Sequence, residues 1–554
     1  MMKTYFLFII LATTIAFTAC NQGNDDKNKQ EQTEPKTQEL TMRDKVNQYA
    51  VIDLKADLSQ LSENQRKMIG ELIEAAKIVD AIFWKQAYGN KEDLFAKIKD
   101  ADTAKFIEIN YGPWDRLSGN NSFVNGIGKK PLGANFYPKD IKYFPFIQLK
   151  FQDKLSMYTL LKRDENHELY TVPYHEAYKE EIAQIVEHMQ KAADLAENPQ
   201  FKDYLLKRIK AIQTDDYYES DAAFVDLKDN LVDFTIGSFE NEEDHFLYLK
   251  GAYEATVMIK DVEWTNKFTS YLSFLPDLQK ELPVEEAYKS QKMGINSGIV
   301  VCNVLYNGGY SNAGPKNIAL TRPTDGKIQM EKGTKKLQFK NVTDAKFQKI
   351  LYPIAELLMD SSQLTHVKSN SFFENNLFFE ICNGMLLTQT IDGKGPVKEA
   401  LNETYNVIKF LNNYVLRLYF IRKLNEKGVL KENDINNNFA TQIADIFRAV
   451  RFGTAHSQGK AAMICFNYYM EKGAISRNEA GIYKVDFPKM KAVNEELAQK
   501  VIKIQGDGNY QEAKSLIRNY GIVKNTLKGD LDKIRENKIP VDIIFNQGES
   551  VLGL

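Results

Sequence analysis

Apolar residues in this chain recur at intervals of three and four over most of its length, which is the spacing of an amphipathic helix. The pattern begins near Arg43 and is nearly continuous from Lys346 to about Ile534. Residues 144–173 and 297–339 alternate apolar and polar side chains in places, as short strands do, and Asp325-Gly326 is a hairpin signal. The sequence therefore predicts a predominantly helical α+β fold.

Composition and charge exclude several classes of protein. The 554 residues are 43% hydrophobic, which is too apolar for a disordered chain, and the length suits two or three domains. Lys+Arg number 72 and Asp+Glu number 74, a formal net charge of −2. This balance gives no electrostatic reason to expect DNA or RNA, so we predict no nucleic-acid partner.

Histidine and cysteine are too scarce and too scattered for the common zinc motifs. No two histidines lie four residues apart, which excludes an H-E-x-x-H helix, and no C-x-x-C pair occurs. The six histidines are His167, His175, His188, His245, His366 and His456.

The amino terminus has the pattern of an export signal. Lys3 precedes an apolar stretch from Tyr5 to Phe17, too short to span a bilayer comfortably. The sequence before Cys20 (F-T-A-C) resembles a bacterial lipobox, with Phe at its first position. We predict a signal peptide at residues 1–19 and a lipid on Cys20. An ordinary signal peptide followed by an unrelated cysteine is the alternative.

Residues 20–45 are almost free of large apolar side chains and are predicted to form a flexible tether. The short acidic stretch Asp25-Asp26-Lys27 resembles an export signal of surface lipoproteins. We therefore expect a lipid-anchored protein of the bacterial envelope, held at the outer membrane and exposed at the cell surface.

Seven segments spread over the chain carry a family resemblance. They are FIEINYGPWDRLSGNNSFVNGIGKKPLGANFYP, LYTVPYHEAYKEE, FTIGSFENEEDHFLYLKGAYEA, FFENNLFFEICNGM, GKGPVKEALNETYNVI, ADIFRAVRFGTAHSQGKA and IPVDIIFNQGESVLGL. Together they resemble the bacterial branch of the dipeptidyl-peptidase III family of zinc metallopeptidases, over residues 46–554.

The resemblance implies two lobes on either side of a peptide-binding cleft. A mixed α/β lower lobe with a small β-barrel would comprise residues 46–260, about 298–345 and 536–554. A helical upper lobe, which carries zinc in the family, would comprise about 261–297 and 346–535.

In this family two histidines on one helix bind zinc, and the Glu after the first histidine is the general base. In FFENNLFFEICNG the first histidine position is Phe379, and the Glu is kept as Glu380. The second histidine position is Gly384 in the usual six-residue motif and Asn383 in the shorter form.

The other positions of the resemblance have changed as well. The helix after GKGPVKEALNETY should carry two adjacent Glu, one of them a zinc ligand, and they fall on Lys409 and Phe410. An acidic residue four further on falls on Tyr414. A downstream histidine expected to stabilise the transition state falls on Gln458, two residues after His456.

Phenylalanine has no lone pair for a metal, glycine has no side chain, and asparagine binds zinc poorly. The sequence therefore predicts no zinc at this site and an aromatic plug formed by Phe379 and Phe410 in its place. We expect no cofactor. Glu380 would then be a metal-free general base, or else a carboxylate that is paired with a nearby cation or faces a wet cleft.

Three further residues are candidates for binding the substrate. Glu240 and Asn241 lie in FENEED, which resembles the stretch where the family holds the free α-amino group of its substrate. A surface acid in an acidic cluster is the alternative for Glu240. Asn312 lies where the cleft-lining loop would be, and ordinary turn chemistry is its alternative.

Two functions from different classes follow. One is a tethered, non-catalytic relative of dipeptidyl-peptidase III that binds peptides or a partner protein of the envelope. The other is a hydrolase that rebuilds a metal site around Glu380 from residues elsewhere in the chain.

Overall fold

The computed structural model describes residues 40–289, 297–430 and 434–554. Residues Met42–Leu554 form one compact unit. The predicted signal peptide, Cys20 and most of the predicted tether lie outside the described residues. In the described part of the chain, no helix has both the length and the apolar character needed to cross a membrane.

The helices confirm the predominantly helical α+β prediction. They are α1 (Met42–Asn47), α2 (Glu63–Ala87), α3 (Lys91–Phe95), α4 (Ala101–Asn110), α5 (Tyr143–Gln148), α6 (Tyr174–Ala177), α7 (Lys179–Leu195), α8 (Pro199–Thr214), α9 (Tyr218–Asp226), α10 (Val262–Leu272), α11 (Leu275–Lys280), α12 (Gly326–Glu331), α13 (Lys340–Lys346), α14 (Tyr352–Leu358), α15 (Ser369–Asn383), α16 (Val397–Leu401), α17 (Tyr405–Glu426), α18 (Ile435–Val450), α19 (Ser457–Glu471), α20 (Phe487–Gly506), α21 (Tyr510–Tyr520), α22 (Asn525–Glu536) and α23 (Glu549–Leu552).

The strands are short apart from those of one central sheet. They are β1 (Tyr49–Asp53), β2 (Trp114–Asp115), β3 (Asn121–Ser122), β4 (Thr159–Arg163), β5 (Leu169–Pro173), β6 (Val232–Glu240), β7 (Ala252–Lys260), β8 (Ser297–Gly309), β9 (Ala319–Arg322), β10 (Thr334–Phe339), β11 (Ile475–Arg477), β12 (Tyr483–Val485) and β13 (Asp542–Asn546).

The central sheet has five strands in the order β6-β7-β8-β10-β9. Strands β8 and β10 are parallel, and the other neighbours are antiparallel. In the described residues the end strands β6 and β9 each pair with one neighbour, so the sheet is open. The predicted small β-barrel is therefore wrong: β9 has only four residues and does not meet β6 to close the sheet.

Helix α2 packs tightly across the sheet. It begins with a capping box in which Ser62 and Gln65 exchange hydrogen bonds. Its middle lies so close to the end of β8 that a Cβ on Gly308 would stand 2.2 Å from the carbonyl oxygen of Ala76. This contact fixes the end of β8, which leads directly into residues 310–312.

The second half of the chain is a helical bundle around α17. This helix is apolar on most of its circumference, so it is buried against α15, α18, α19 and α20. Strands β1 and β13 pair in parallel and bring the amino-terminal part of the unit together with its carboxy-terminal part. The exact division into lobes at the predicted boundaries stays a prediction.

Candidate functional site

Helix α15 carries the first group of predicted site residues. Phe379 and Glu380 lie in its last turns, with Phe379 buried and Glu380 half-buried. The helix ends at Asn383, and Gly384 is the first residue after it. Asn383 therefore follows Phe379 by one helical turn, whereas Gly384 lies outside the regular helix.

Helix α17 brings two more of the predicted positions against α15. The ring of Phe410 stacks on Phe379 with centroids 6.1 Å apart and an interplanar angle of 13°. The ring of Tyr414, one turn further along α17, meets Phe379 edge-on at 5.2 Å. Phe379 thus contacts the side chains at two other positions to which the resemblance assigns a ligand or an acid.

The start of α19 supplies the fourth position. The Gln458 side chain hydrogen-bonds to Tyr414, and burial raises the pKa of Tyr414 to about 12. His456 is exposed at the N-cap of α19. Helices α15, α17 and α19 therefore assemble Phe379, Phe410, Tyr414 and Gln458 into one cluster.

Three cations lie near this aromatic cluster, and one of them, Arg417, is paired with Asp445 at 3.5 Å. The guanidinium carbon of buried Arg417 lies 4.5 Å from the Tyr414 ring centroid and 5.6 Å from that of Phe379. Lys336 donates from Nζ to the Glu380 carbonyl oxygen at 2.8 Å, and burial lowers the pKa of this lysine. The Nζ atom of Lys409 is 6.0 Å from the Phe410 ring.

Glu380 is held by amides. The Nδ2 atom of Asn383 donates to Glu380 Oε2 at 3.2 Å, and Asn413 donates to Asn383 Oδ1 at 2.7 Å. Asn413 is fully buried on α17, so this chain of hydrogen bonds joins α15 to α17. Lys336 bonds the backbone carbonyl of Glu380 and not its carboxylate, so the predicted pairing of that carboxylate with a cation stays a prediction.

The side chains present do not fit a zinc ion. Two phenylalanine rings offer no lone pair, and a dication here would face the charges of Arg417, Lys336 and Lys409. Across residues 40–289, 297–430 and 434–554, no group of three His, Cys, Asp or Glu residues is arranged to hold a metal ion. Among the described residues, the amide of Asn383 is the one hydrogen-bond donor to the Glu380 side chain.

A polar cavity of about 630 Å³ lies at the end of β6. Glu240 lines it, together with Glu242, Tyr310 and Arg322. Asn241 is exposed and donates to the Tyr248 carbonyl oxygen at 2.6 Å, outside the lining.

Asn312 also lies beside the cavity rather than in its wall. Its amide donates to the Tyr111 hydroxyl at 3.2 Å, and the next residue, Ala313, contributes to the lining. Of the three predicted binding residues, the structure places Glu240 in the cavity wall.

Buried ion pairs set the charge of the cavity. Arg322, 3% exposed, pairs with Glu254 and lies 3.4 Å from Glu240. Burial and the negative charge of Glu254 raise the pKa of Glu240. One guanidinium between two carboxylates leaves a net negative charge at this end of the cavity.

Another carboxylate of the cavity lining, Glu243, is balanced by two cations. Glu243 accepts hydrogen bonds from Arg116 at 2.6 Å and from Lys130 at 2.5 Å. Burial alone would raise the pKa of Glu243, but these two cations lower it to about 2. The sequence did not identify Arg322 or Arg116 as residues of this site. The one local signal was that Arg322 ends the apolar stretch IALTR.

Strands β9 and β10 connect the cavity to the aromatic cluster. Arg322 of β9 pairs in register with Lys335, and Thr321 pairs with Lys336. Lys336 contacts Glu380 and Thr321 lines the cavity. Because these two residues are paired across the strands, the aromatic cluster and the cavity are neighbours.

Comparisons with known proteins identify the family of the chain. The profile of "Peptidase family M49" matches residues 156–398. Nudix hydrolase 3 of Arabidopsis thaliana is 30% identical over 577 aligned residues, covering 92% of this chain and 74% of the plant protein.

Two solved structures share the fold. Dipeptidyl-peptidase III from Caldithrix abyssi superposes with a TM-score of 0.87 at 34% identity, covering 91% of this chain and 98% of the other. The enzyme from Corallococcus sp. strain EGB gives 0.76 at 29% identity, covering 93% and 98%. The chain therefore belongs to peptidase family M49 and has the two-lobed fold of dipeptidyl-peptidase III.

Proposed function

We propose that this chain is a non-catalytic member of the family, which binds peptides without hydrolysing them. The observation that carries the proposal is the stack of Phe379 on Phe410, with Tyr414 at its edge. These are the positions at which the resemblance puts two zinc ligands and an acid. Aromatic rings there provide neither a Lewis acid nor an activated water for Glu380 to deprotonate.

The cavity beside the cluster supports the binding part of the proposal. Its net negative end at Glu240 and Glu242 suits an ammonium group, such as the free amino terminus of a peptide. A cation bound there would relieve the repulsion between Glu240 and Glu254. The lipid anchor and the envelope location remain part of the proposal, as does an envelope protein as an alternative partner.

A hydrolase with a rearranged metal site around Glu380 is the second candidate from the sequence. It would need further carboxylates or imidazoles close to Glu380. The neighbours are Asn383, Asn413 and Lys336, which disfavour a metal, so we rank this candidate below the first.

Metal content and turnover test the non-catalytic part. The chain without residues 1–20 is purified, its zinc is measured by atomic emission, and dipeptide release from a chromogenic substrate is followed with and without added zinc. We expect substoichiometric zinc and no release that a chelator abolishes. Stoichiometric zinc with chelator-sensitive turnover would establish an active enzyme.

Calorimetric titration tests the binding part. Peptides with free and acetylated amino termini are compared, and we expect the acetylated peptide to bind about tenfold more weakly. Glu240→Gln should remove this preference, whereas Glu219→Gln, an exposed acid on α9, should keep it. Equal affinities for the two peptides in the parent chain would contradict a site for the amino terminus.

A further inference from the structure

A short segment between β3 and β4 exposes several of its large apolar side chains. Residues 141–155 read IKYFPFIQLKFQDKL and contain one acidic residue, Asp153. Helix α5 and the turn after it occupy this segment. Of its eight large apolar side chains, only Phe146 is buried, packed edge-on against Tyr137 and Phe246.

Three of the exposed side chains lie three and four residues apart on α5, and a fourth lies beyond the helix. Phe144 is 76% exposed, Tyr143 51% and Ile147 49%, and Leu155 beyond the helix is 49% exposed. The rings of Tyr143 and Phe144 contact each other with centroids 5.7 Å apart. Contiguous apolar surface of this kind marks a site of interaction with a membrane or another protein.

The patch is held rigidly. Lys154 donates from Nζ to the carbonyl oxygens of Phe146 at 3.1 Å and Ile147 at 2.8 Å, which satisfies the carboxy-terminal end of α5. With Phe146 anchored in the core, the helix presents its other side chains outward in one orientation.

Uncompensated positive charge surrounds the patch. Lys139, Lys142 and Lys150 are exposed, and none of them has an ion-pair partner among the described residues. Two acids lie nearby in the chain: Asp140 is paired with Arg163 at 2.7 Å, and Asp153 is exposed, so lysines outnumber acids in this segment. Apolar and aromatic side chains ringed by free lysines are the composition of elements that lie in the headgroup region of anionic membranes.

We propose that α5 and its flanking lysines form a membrane-docking surface that lies on anionic phospholipid. Phe144 and Ile147 enter the acyl boundary, Tyr143 lies at headgroup level, and the lysines contact phosphate groups. The excess of positive charge favours this occupant over a second copy of the chain, because two such surfaces would repel each other.

A series of side-chain contacts leads from α1 to α5. The compact unit begins at Met42, in α1, whose Lys45 pairs with Asp115 at 3.4 Å. From there Asn120 meets His245 at 3.4 Å, and Phe246 meets Phe146 of α5.

If residues 21–41 form the flexible tether predicted from the sequence, their mean reach is about 25 Å. A predicted lipid on Cys20 would then keep the chain within about this distance of a bilayer. The surface itself depends neither on the lipid nor on the proposed peptide binding.

Vesicle co-sedimentation of the unlipidated chain without residues 1–20 tests the proposal, since Met42–Leu554 is a compact unit by itself. We expect binding at low salt to vesicles of phosphatidylethanolamine with phosphatidylglycerol and much weaker binding to phosphatidylcholine vesicles. No sedimentation with either vesicle, or equal sedimentation with both, would overturn the proposal.

Matched variants locate the surface. The double variant Phe144→Ser/Ile147→Ser should lower vesicle partitioning about tenfold or more, and Lys142→Glu/Lys150→Glu should abolish the preference for anionic lipid. Met330→Ser, which changes a side chain 79% exposed on α12, should leave binding unchanged.

Two outcomes would reject the membrane as the occupant of this surface. One is vesicle binding by the Phe144→Ser/Ile147→Ser variant equal to that of the parent chain. The other is a parent chain that dimerises in gel filtration through these side chains and does not bind vesicles.

Discussion

Phe379 illustrates why a single substitution would not restore a metal centre in this chain. Its ring is packed between Phe410 and Tyr414, and the Arg417 guanidinium lies 5.6 Å from its centroid. Arg417 is itself fixed by a hydrogen bond to Gln442 at 2.8 Å. The aromatic cluster and its cation form one packed unit, so a ligand introduced at one position would enter an apolar and positively charged environment.

Putting the family's ligands back tests how much this unit stabilises the fold. The triple variant Phe379→His/Gly384→His/Phe410→Glu should lose about 4 kcal/mol of unfolding free energy without metal, because one buried ring and one half-buried ring are removed and a carboxylate is placed against the apolar cluster. Urea denaturation with and without zinc measures the loss and any recovery.

Phe379→Leu provides the matched control and should cost only about 1 kcal/mol, since it keeps an apolar side chain. A triple variant that is as stable as the parent in the absence of metal would show that the rings contribute nothing to stability.

The sequence was sufficient to name the residues of this cluster but not its charges. Phe379, Phe410 and Gln458 follow from position within recognisable segments. Lys336 and Arg417 could not be found in this way, because Lys336 comes from a strand and Arg417 becomes a neighbour of Phe379 only when α17 packs against α15.

At the scale of elements, local pattern predicted strands and turns less well than helices. The alternation in FIQLKF suggested a strand, but these residues end α5, where Lys154 satisfies the free carbonyl oxygens. Asp325-Gly326 suggested a tight hairpin, and β9 and β10 do pair antiparallel. The connection between the two strands is α12 rather than a tight turn. The Asp325 side chain caps this helix by accepting hydrogen bonds from the backbone N–H groups of Lys327 and Ile328, which favours a helix start.

The contact of α2 with β8 is an element-scale feature that one glycine makes possible. Gly308→Ala would place a Cβ 2.2 Å from the Ala76 carbonyl oxygen, and backbone on both sides cannot give way cheaply. We expect a loss of about 3 kcal/mol in unfolding free energy by urea denaturation.

The same strand offers the control. Gly298→Ala has no atom within 4 Å of the new Cβ, so it should leave stability unchanged or raise it by about 0.5 kcal/mol. Equal effects of the two substitutions would mean that α2 can move away from the sheet without cost.

At the scale of the whole molecule, buried titratable groups make stability depend on pH in two opposing ways. Burial lowers the pKa of Lys250 and Lys335 to about 8. Burial also raises the pKa of the thiols of Cys302 and Cys382. Above pH 8 the unfolded chain keeps more lysine protons than the folded one, which favours folding as pH rises, whereas the thiols act in the opposite direction.

The difference in unfolding free energy between the parent chain and a Lys250 variant isolates the contribution of this one lysine. Lys250 donates to the carbonyl oxygens of Lys154 and Ser156 and to Thr159 Oγ1. Lys250→Met removes the ammonium and should lower stability at every pH. Between pH 8 and about 10.4 the folded parent has lost the Lys250 proton, whereas the unfolded parent still holds it. The unfolding free energy of the parent should therefore rise by up to about 1.4 kcal/mol per pH unit relative to that of the variant.

Urea denaturation of both chains from pH 7 to 10 measures this slope. Lys191→Met is the matched control, because a hydrogen bond to Glu187 raises the pKa of that exposed lysine. Its folded and unfolded states both keep the proton over most of this range, so the parent and control curves should run parallel up to about pH 10. Parallel curves for Lys250→Met as well would mean that the buried ammonium keeps its proton, and that its three oxygen partners offset the cost of burying the charge.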